Sequence, residues 1–226
     1  MCGISGCVLK VGDRTPPAGL IAVVESQSSR GPDSTGYLSR SLGEGRSLWF
    51  AHNRLSIIDL SSDANQPMVS RNERYSLVFN GAIYNYVELR EELAAAGFDF
   101  RTVSDTEVLL AALIVWGEAG LARLYGMFTL AFHDRETNRL ILARDRFGVK
   151  PLYYRQNGDD IWFASTPTAI ARNERCDPDL EYVGRGIRLK YYEDETGIAP
   201  YLGIAVMPPG HYAAIDLSAH ETLAPR

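Results

Sequence analysis

With 226 residues, 46% hydrophobic and 23% charged, the chain has the composition of a globular protein long enough to bury one large core or two small ones. A formal net charge of −5 argues against a nucleic-acid partner held through phosphates. No apolar run approaches the ~18 residues of a membrane span, and no basic-then-apolar leader precedes Cys2, so no membrane partner is expected.

Three cysteines (Cys2, Cys7 and Cys176) cannot all pair, and nothing suggests export, so the expected setting is the reducing cytoplasm. The histidines (His52, His133, His211 and His220) are scattered, and neither an HExxH nor a paired CxxC occurs. No metal site is expected.

In chain order, "CGISGCVL" reads as a first strand. "TPPAGLIAVVESQSS" reads as a helix with Pro16 in its first turn. "SLWFAH" and "YSLVFN" follow as strands. "NYVELREELAAAG" offers Asn85 as N-cap, Glu88 three residues on and Gly97 as terminator. "SDTEVLLAALIVWG" repeats the device with Ser104, Glu107 and Gly117, and is apolar nearly all round, which predicts burial. "MFTLAFHD", "RLILAR", "PLYYR", "DIWFAS" and "HYAAIDL" are strand-length, with turn-like "DRETN" and "QNGDD" joining neighbours into antiparallel hairpins. From about Glu174 to Pro200 the pattern predicts an irregular segment, and "SAHETLAPR" a polar, fraying tail. Many antiparallel strands with a few helices predict a layered α+β fold of two sheets with helices outside.

Several residues could carry chemistry. Cys2 follows the initiator methionine, so removal of Met1 would leave a thiol beside a free α-amino group, a nucleophile carrying its own general base. The plain alternative is a small hydrophobe at a strand start. Arg54 in "AHNRLSIID" can fork onto a carboxylate or make a surface ion pair. Asn80-Gly81 in "VFNGAIYN" is either a tight hairpin turn or a pair of donors for an oxyanion. Asp105 stands at the first position of its helix, where the dipole alone accounts for it. "RGPDSTG" and "RDRFGVKPLYY" read as polar loops. His133 and His211 have no nucleophile beside them in sequence.

Taken in order, "MCGISG", "RGPDSTG", "HNRLSIIDL", "NGAIYNY", "SDTEVLL", "YGMFTLAFHD", "RDRFGVKPLYY" and "PPGHY" resemble the N-terminal glutaminase domain of glutamine-dependent asparagine synthetases. That is a class II amidotransferase domain of the N-terminal nucleophile superfamily. The resemblance implies a four-layer αββα sandwich, with two antiparallel sheets between helix layers. It spans residues 2–217, leaving 218–226 as a polar C-terminal tail. It also implies roles: Cys2 attacks the amide of L-glutamine, Asn80 and Gly81 hold the oxyanion, and Arg54 clamps the α-carboxylate. Asp105, with backbone carbonyls around Leu55 and Ile57, holds the α-ammonium. No cofactor is implied for this half-reaction.

Three departures accompany the resemblance. Ala82 stands where the family usually has Glu in NGEIYN, and "FASTPTAI" replaces an acidic segment. The ATP-binding synthetase domain with its SGGxDS loop is absent, so the ammonia is expected to reach a partner subunit or a missing domain. The alternatives are a catalytically silent scaffold or regulatory module for a synthetase, and hydrolysis of a different amide admitted by Ala82.

Overall fold

A computed structural model describes residues 1–56, 61–190, 197–219 and 221–226. In chain order the elements are β1 (Gly3–Leu9), α1 (Ala18–Ser26), β2 (Ser34–Gly43), β3 (Arg46–Arg54), β4 (Met68–Val69), β5 (Tyr75–Ile83), α2 (Tyr86–Ala95) and α3 (Asp105–Trp116). They continue as β6 (Gly126–Asp134), β7 (Arg139–Arg144), β8 (Tyr153–Asn157), β9 (Asp160–Ala164), α4 (Pro167–Glu174), α5 (Leu180–Leu189), β10 (Ala205–Val206) and β11 (Tyr212–Asp216).

The strands form two antiparallel sheets, ordered β10-β8-β9-β1-β3-β2 and β11-β7-β6-β5-β4. Alternation of side chains assigns each residue to a layer. Ile4, Val8, Leu48, Phe50, Val78, Ala131, Leu142 and Phe163 meet between the sheets. Cys7, Trp49, Ala51 and Trp162 turn the other way, against Leu20, Val23 and Val24 of α1 and Ile170 of α4. Leu77, Phe79, Leu130 and Phe132 pack on α2 and α3. The result is the expected αββα sandwich. Each fully buried Leu, Ile or Phe contributes roughly 1.5–3 kcal/mol from area removed from water.

The helix signals fare unequally. The Ser104 hydroxyl accepts from the Glu107 N–H at 3.2 Å, and α3 is buried from Asp105 to Leu113, as expected. Asn85 stands at the start of α2 without capping it. Its side chain instead donates to the Arg123 carbonyl and accepts from the Tyr125 N–H, both at 3.0 Å, tying the helix to the strand that follows. Pro16 lies outside α1, whose first helical residue is Ala18.

Other expectations are corrected. Asn80-Gly81 is no hairpin turn, since both residues lie within β5, opposite Thr129 and Phe128 of β6. "RGPDSTG" is not wholly loop, because β2 begins at Ser34. The irregular stretch contains α5, capped by the Asp179 carboxylate on the Glu181 and Tyr182 N–H groups. The described tail residues 221–226 are tied down. Leu223 is buried, and Arg226 exchanges two backbone hydrogen bonds with Tyr212.

Candidate active site

Register and alternation bring the candidate residues to one end of the layer between the sheets. Gly3 pairs with Asn53, so Cys2 lies level with Arg54 and shares its face. The Cys2 sulfur accepts the Leu55 N–H at 3.3 Å and lies 3.6 Å from the Leu55 carbonyl. From the facing sheet, β5 presents Val78, Asn80 and Ala82 on its inner face. His52 of β3 contacts the Phe79 carbonyl at 3.2 Å, which fixes the end of β3 under the end of β5.

The donors on β5 are specific. The side-chain nitrogen of Asn80, a residue 1% exposed, has no hydrogen-bond partner among the described residues. A buried amide donor without a partner is costly unless something binds there. Alternate N–H groups of β5 point away from β6. On that free edge the Phe79 N–H donates to Gln66 Oε1 at 2.5 Å and the Ile83 N–H to Asp105 Oδ2 at 3.0 Å. Gly81 lies between these two capped positions, with its N–H on the same edge. Gly81 must lack a side chain, since a Cβ there would sit 2.1 Å from the Met127 carbonyl oxygen.

Arg54 is buried, and its guanidinium donates to the Ser61 carbonyl at 2.8 Å and to Asn65 Oδ1 at 2.6 Å. Asp105 is buried at the start of α3, and burial pushes its carboxyl above the usual range. Hydrogen bonds from Ile83 and the first N–H groups of the helix oppose that shift. Ala82 is half-buried opposite Met127. Ile57 lies outside the described residues.

Four neighbours escaped the sequence reading. Gln66 and His52 act as fasteners, as above. Arg30, from the short turn Ser28–Arg30, donates its Nε–H to the Cys2 carbonyl at 3.2 Å. Burial lowers the Arg30 guanidinium from its ordinary value, and the charges of Cys2 and Tyr153 oppose this. Lys150 is 6% exposed in the β7–β8 loop. Both cations stand in quoted motifs, "RGPD" and "FGVKP", and charge embedded among Gly and Pro was the signal available. Cys7, by contrast, is buried, and burial pushes its thiol far up, which makes it inert.

A cleft of about 610 Å³ opens between the Gly117–Arg123 turn and the start of β11. None of Cys2, Arg54, Asn80 or Asp105 lines it. Among the described residues no cluster of His, Cys, Asp and Glu could hold a metal ion, and no helix is long and apolar enough to cross a membrane.

The chain is 46% identical over 147 residues to asparagine synthetase [glutamine-hydrolyzing] 1 of Bacillus subtilis, covering 64% of this chain and 22% of that protein. It is 36% identical over 207 residues to asparagine synthetase [glutamine-hydrolyzing] 3 of the same organism, covering 90% and 31%. The chain thus spans under a third of the length of these relatives. Its fold is that of the B. subtilis glutamine phosphoribosylpyrophosphate amidotransferase, with a TM-score of 0.67 at 20% identity over 95% of this chain and 47% of that one. The glutamine amidotransferase domain family matches residues 1–224, and the chain belongs to that family.

Proposed function

We propose that the chain hydrolyses L-glutamine to glutamate and ammonia with Cys2 as nucleophile, and that residues 2–217 form this glutaminase domain. The observation that carries the reading is the pairing of the Cys2 sulfur, held on Leu55, with the unpartnered buried Asn80 amide on the facing sheet. Met1 is exposed, so an aminopeptidase can reach it, and its removal frees the α-amino group of Cys2. That amine takes the thiol proton as the sulfur attacks the side-chain amide carbon. The oxyanion forms against the Asn80 amide and the Gly81 N–H. Collapse returns the proton to the leaving nitrogen, expels ammonia and leaves a γ-glutamyl thioester, which water hydrolyses. Arg54 takes the α-carboxylate. Asp105 and the carbonyls near Leu55 and Ile57 take the α-ammonium.

The relatives are named as glutamine-hydrolysing asparagine synthetases, which supports delivery of the ammonia to an ATP-dependent synthetase domain or subunit. This half needs no cofactor, and the reading assigns the chain to the cytoplasm, where Cys2 stays a thiol. The test is Cys2→Ala. Glutamate release should fall roughly a thousandfold or more with unchanged circular dichroism. Retained release would overturn the mechanism. Ala82 favours a second reading, a silent scaffold for a synthetase. Absence of turnover in wild type lacking Met1, with and without candidate synthetases, would support that one.

A further inference from the structure

The register of the first sheet places a cation opposite the nucleophile. Ser5 of β1 pairs with Ala164 of β9, and Ala164 pairs with Tyr153 of β8. β8 therefore runs parallel to β1, with Tyr153 level with Ser5. Three residues earlier on each chain, Lys150 is level with Cys2. Leu152 and Tyr154 face the layer between the sheets, as Ile4 does, and continuing the alternation turns Lys150 and Cys2 to that same face. The two chains are two strand spacings apart, about 9.5 Å. β9 fills that space only as far as Ala164. Ser165 still bonds Ile4 through its N–H at 2.9 Å and its hydroxyl at 3.0 Å, after which the chain leaves for α4. At the level of Cys2, β9 no longer lies between the two chains.

The loop that carries Lys150 is built to hold it. Asp145 accepts the N–H groups of Phe128, Phe147, Val149 and Lys150 at 3.0–3.2 Å. Arg144 donates to the carbonyls of Lys150, Met207 and Gly148 at 2.8, 2.9 and 2.6 Å. Lys150 interacts electrostatically with Cys2, Arg30 and Asp145, and burial together with the Arg30 charge lowers its ammonium from the ordinary value. Among the described residues, the other charged or titratable groups on the elements at this end include Tyr153 on β8, His52 and Arg54 on β3, Asp33 on the Ser56 N–H, and Asp105 beyond β5.

We propose that Lys150 is a positioning residue for the nucleophile, an ammonium set with Arg30 beside Cys2 that favours the anionic, attacking form of the sulfur. The inference rests on the assignment of Cys2 as the nucleophile.

The experiment follows iodoacetamide alkylation of Cys2 against pH, read by mass on the N-terminal peptide, beside the pH profile of glutamate release. Lys150→Met should slow alkylation at pH 7 about tenfold and move its midpoint up by about one pH unit, whereas Lys150→Arg should keep the wild-type profile. Should K150M not fold, K150Q keeps polar reach without charge and gives the same reading. An unshifted midpoint in a folded neutral variant overturns the proposal. A shifted alkylation midpoint in a protein that releases no glutamate leaves Lys150 in its role and overturns the glutaminase reading instead.

Discussion

Ala82 is the residue at which this site departs most from what the asparagine synthetase resemblance implies. It is half-buried on β5, two residues beyond the Asn80 amide and on the same face. In the proposed reading a carboxylate there would meet the substrate ammonium, and a hydrogen bond to a charged group is worth ~1.5–3 kcal/mol. Ala82→Glu should therefore lower KM for glutamine roughly tenfold to a hundredfold with kcat little changed. A raised KM would mean that the site has closed over the missing side chain. Asp105→Asn tests the carboxylate that remains. Its amide oxygen can still accept the Ile83 N–H seen at 3.0 Å, so the fold should hold while KM rises about tenfold. Burial raises the Asp105 carboxyl, so in wild type glutamine binding should weaken as pH falls through that raised value, and D105N should flatten this acid limb.

At the scale of the element, β5 concentrates the demands of the site. Gly81→Ala would put a Cβ 2.1 Å from the Met127 carbonyl oxygen and 2.7 Å from the Phe128 Cα, so β5 and β6 would have to separate. We expect ~3 kcal/mol of destabilisation in urea unfolding, with activity lost even at temperatures where the variant stays folded. Wild-type stability in that variant would show that the sheet can shift, and would relieve Gly81 of its steric role. The case also shows what a sequence can reveal. Asn-Gly is a strong local hairpin signal, yet the residues opposite it across β6 override the dipeptide. The cap of α3 was legible because Ser104 and Glu107 act within one turn. α5 was missed although Leu180, Val183 and Ile187 recur at helical spacing, because Gly184 and Gly186 weaken its propensity and its apolar stripe is short. Cys2, Arg54, Asn80, Gly81 and Asp105 were legible as motifs. Arg30 and Lys150 stand in the motifs "RGPDSTG" and "RDRFGVKPLYY", but their placement, like that of Gln66, was not legible, since each meets a group far away in sequence.

At the scale of the whole molecule, the layer between the sheets carries two buried histidines that govern acid stability. His52 and His133 are 1% and 0% exposed, and burial lowers each imidazole to about 4. The charge of Arg54 adds to the effect on His52 and that of Arg40 to the effect on His133. Both are therefore neutral in the folded protein at neutral pH. In the unfolded chain they titrate near 6.5. Between about pH 6.5 and 4 the unfolded state binds protons that the native state refuses, so stability falls as pH falls across that window. Each histidine accounts for about 3 kcal/mol at the lower limit, from a shift of roughly 2.5 units at ~1.4 kcal/mol per unit. Asp134, held low by Arg74, adds its loss only below the ordinary carboxylate range. Urea midpoints measured at pH 7, 5.5 and 4 should drop steadily, and His133→Gln, which cannot titrate, should remove about half of that slope. His52 Nε2 donates to the Phe79 carbonyl one residue before Asn80, and that bond favours the protonated ring, so any loosening of this end of the sandwich in acid comes from the cost of a buried imidazolium beside Arg54. Glutamate release should accordingly be lost irreversibly at a higher pH in wild type than in H133Q. A urea midpoint independent of pH between 6.5 and 4 would mean that water or a partner reaches these rings, and that the inter-sheet layer is wetter than its packing implies.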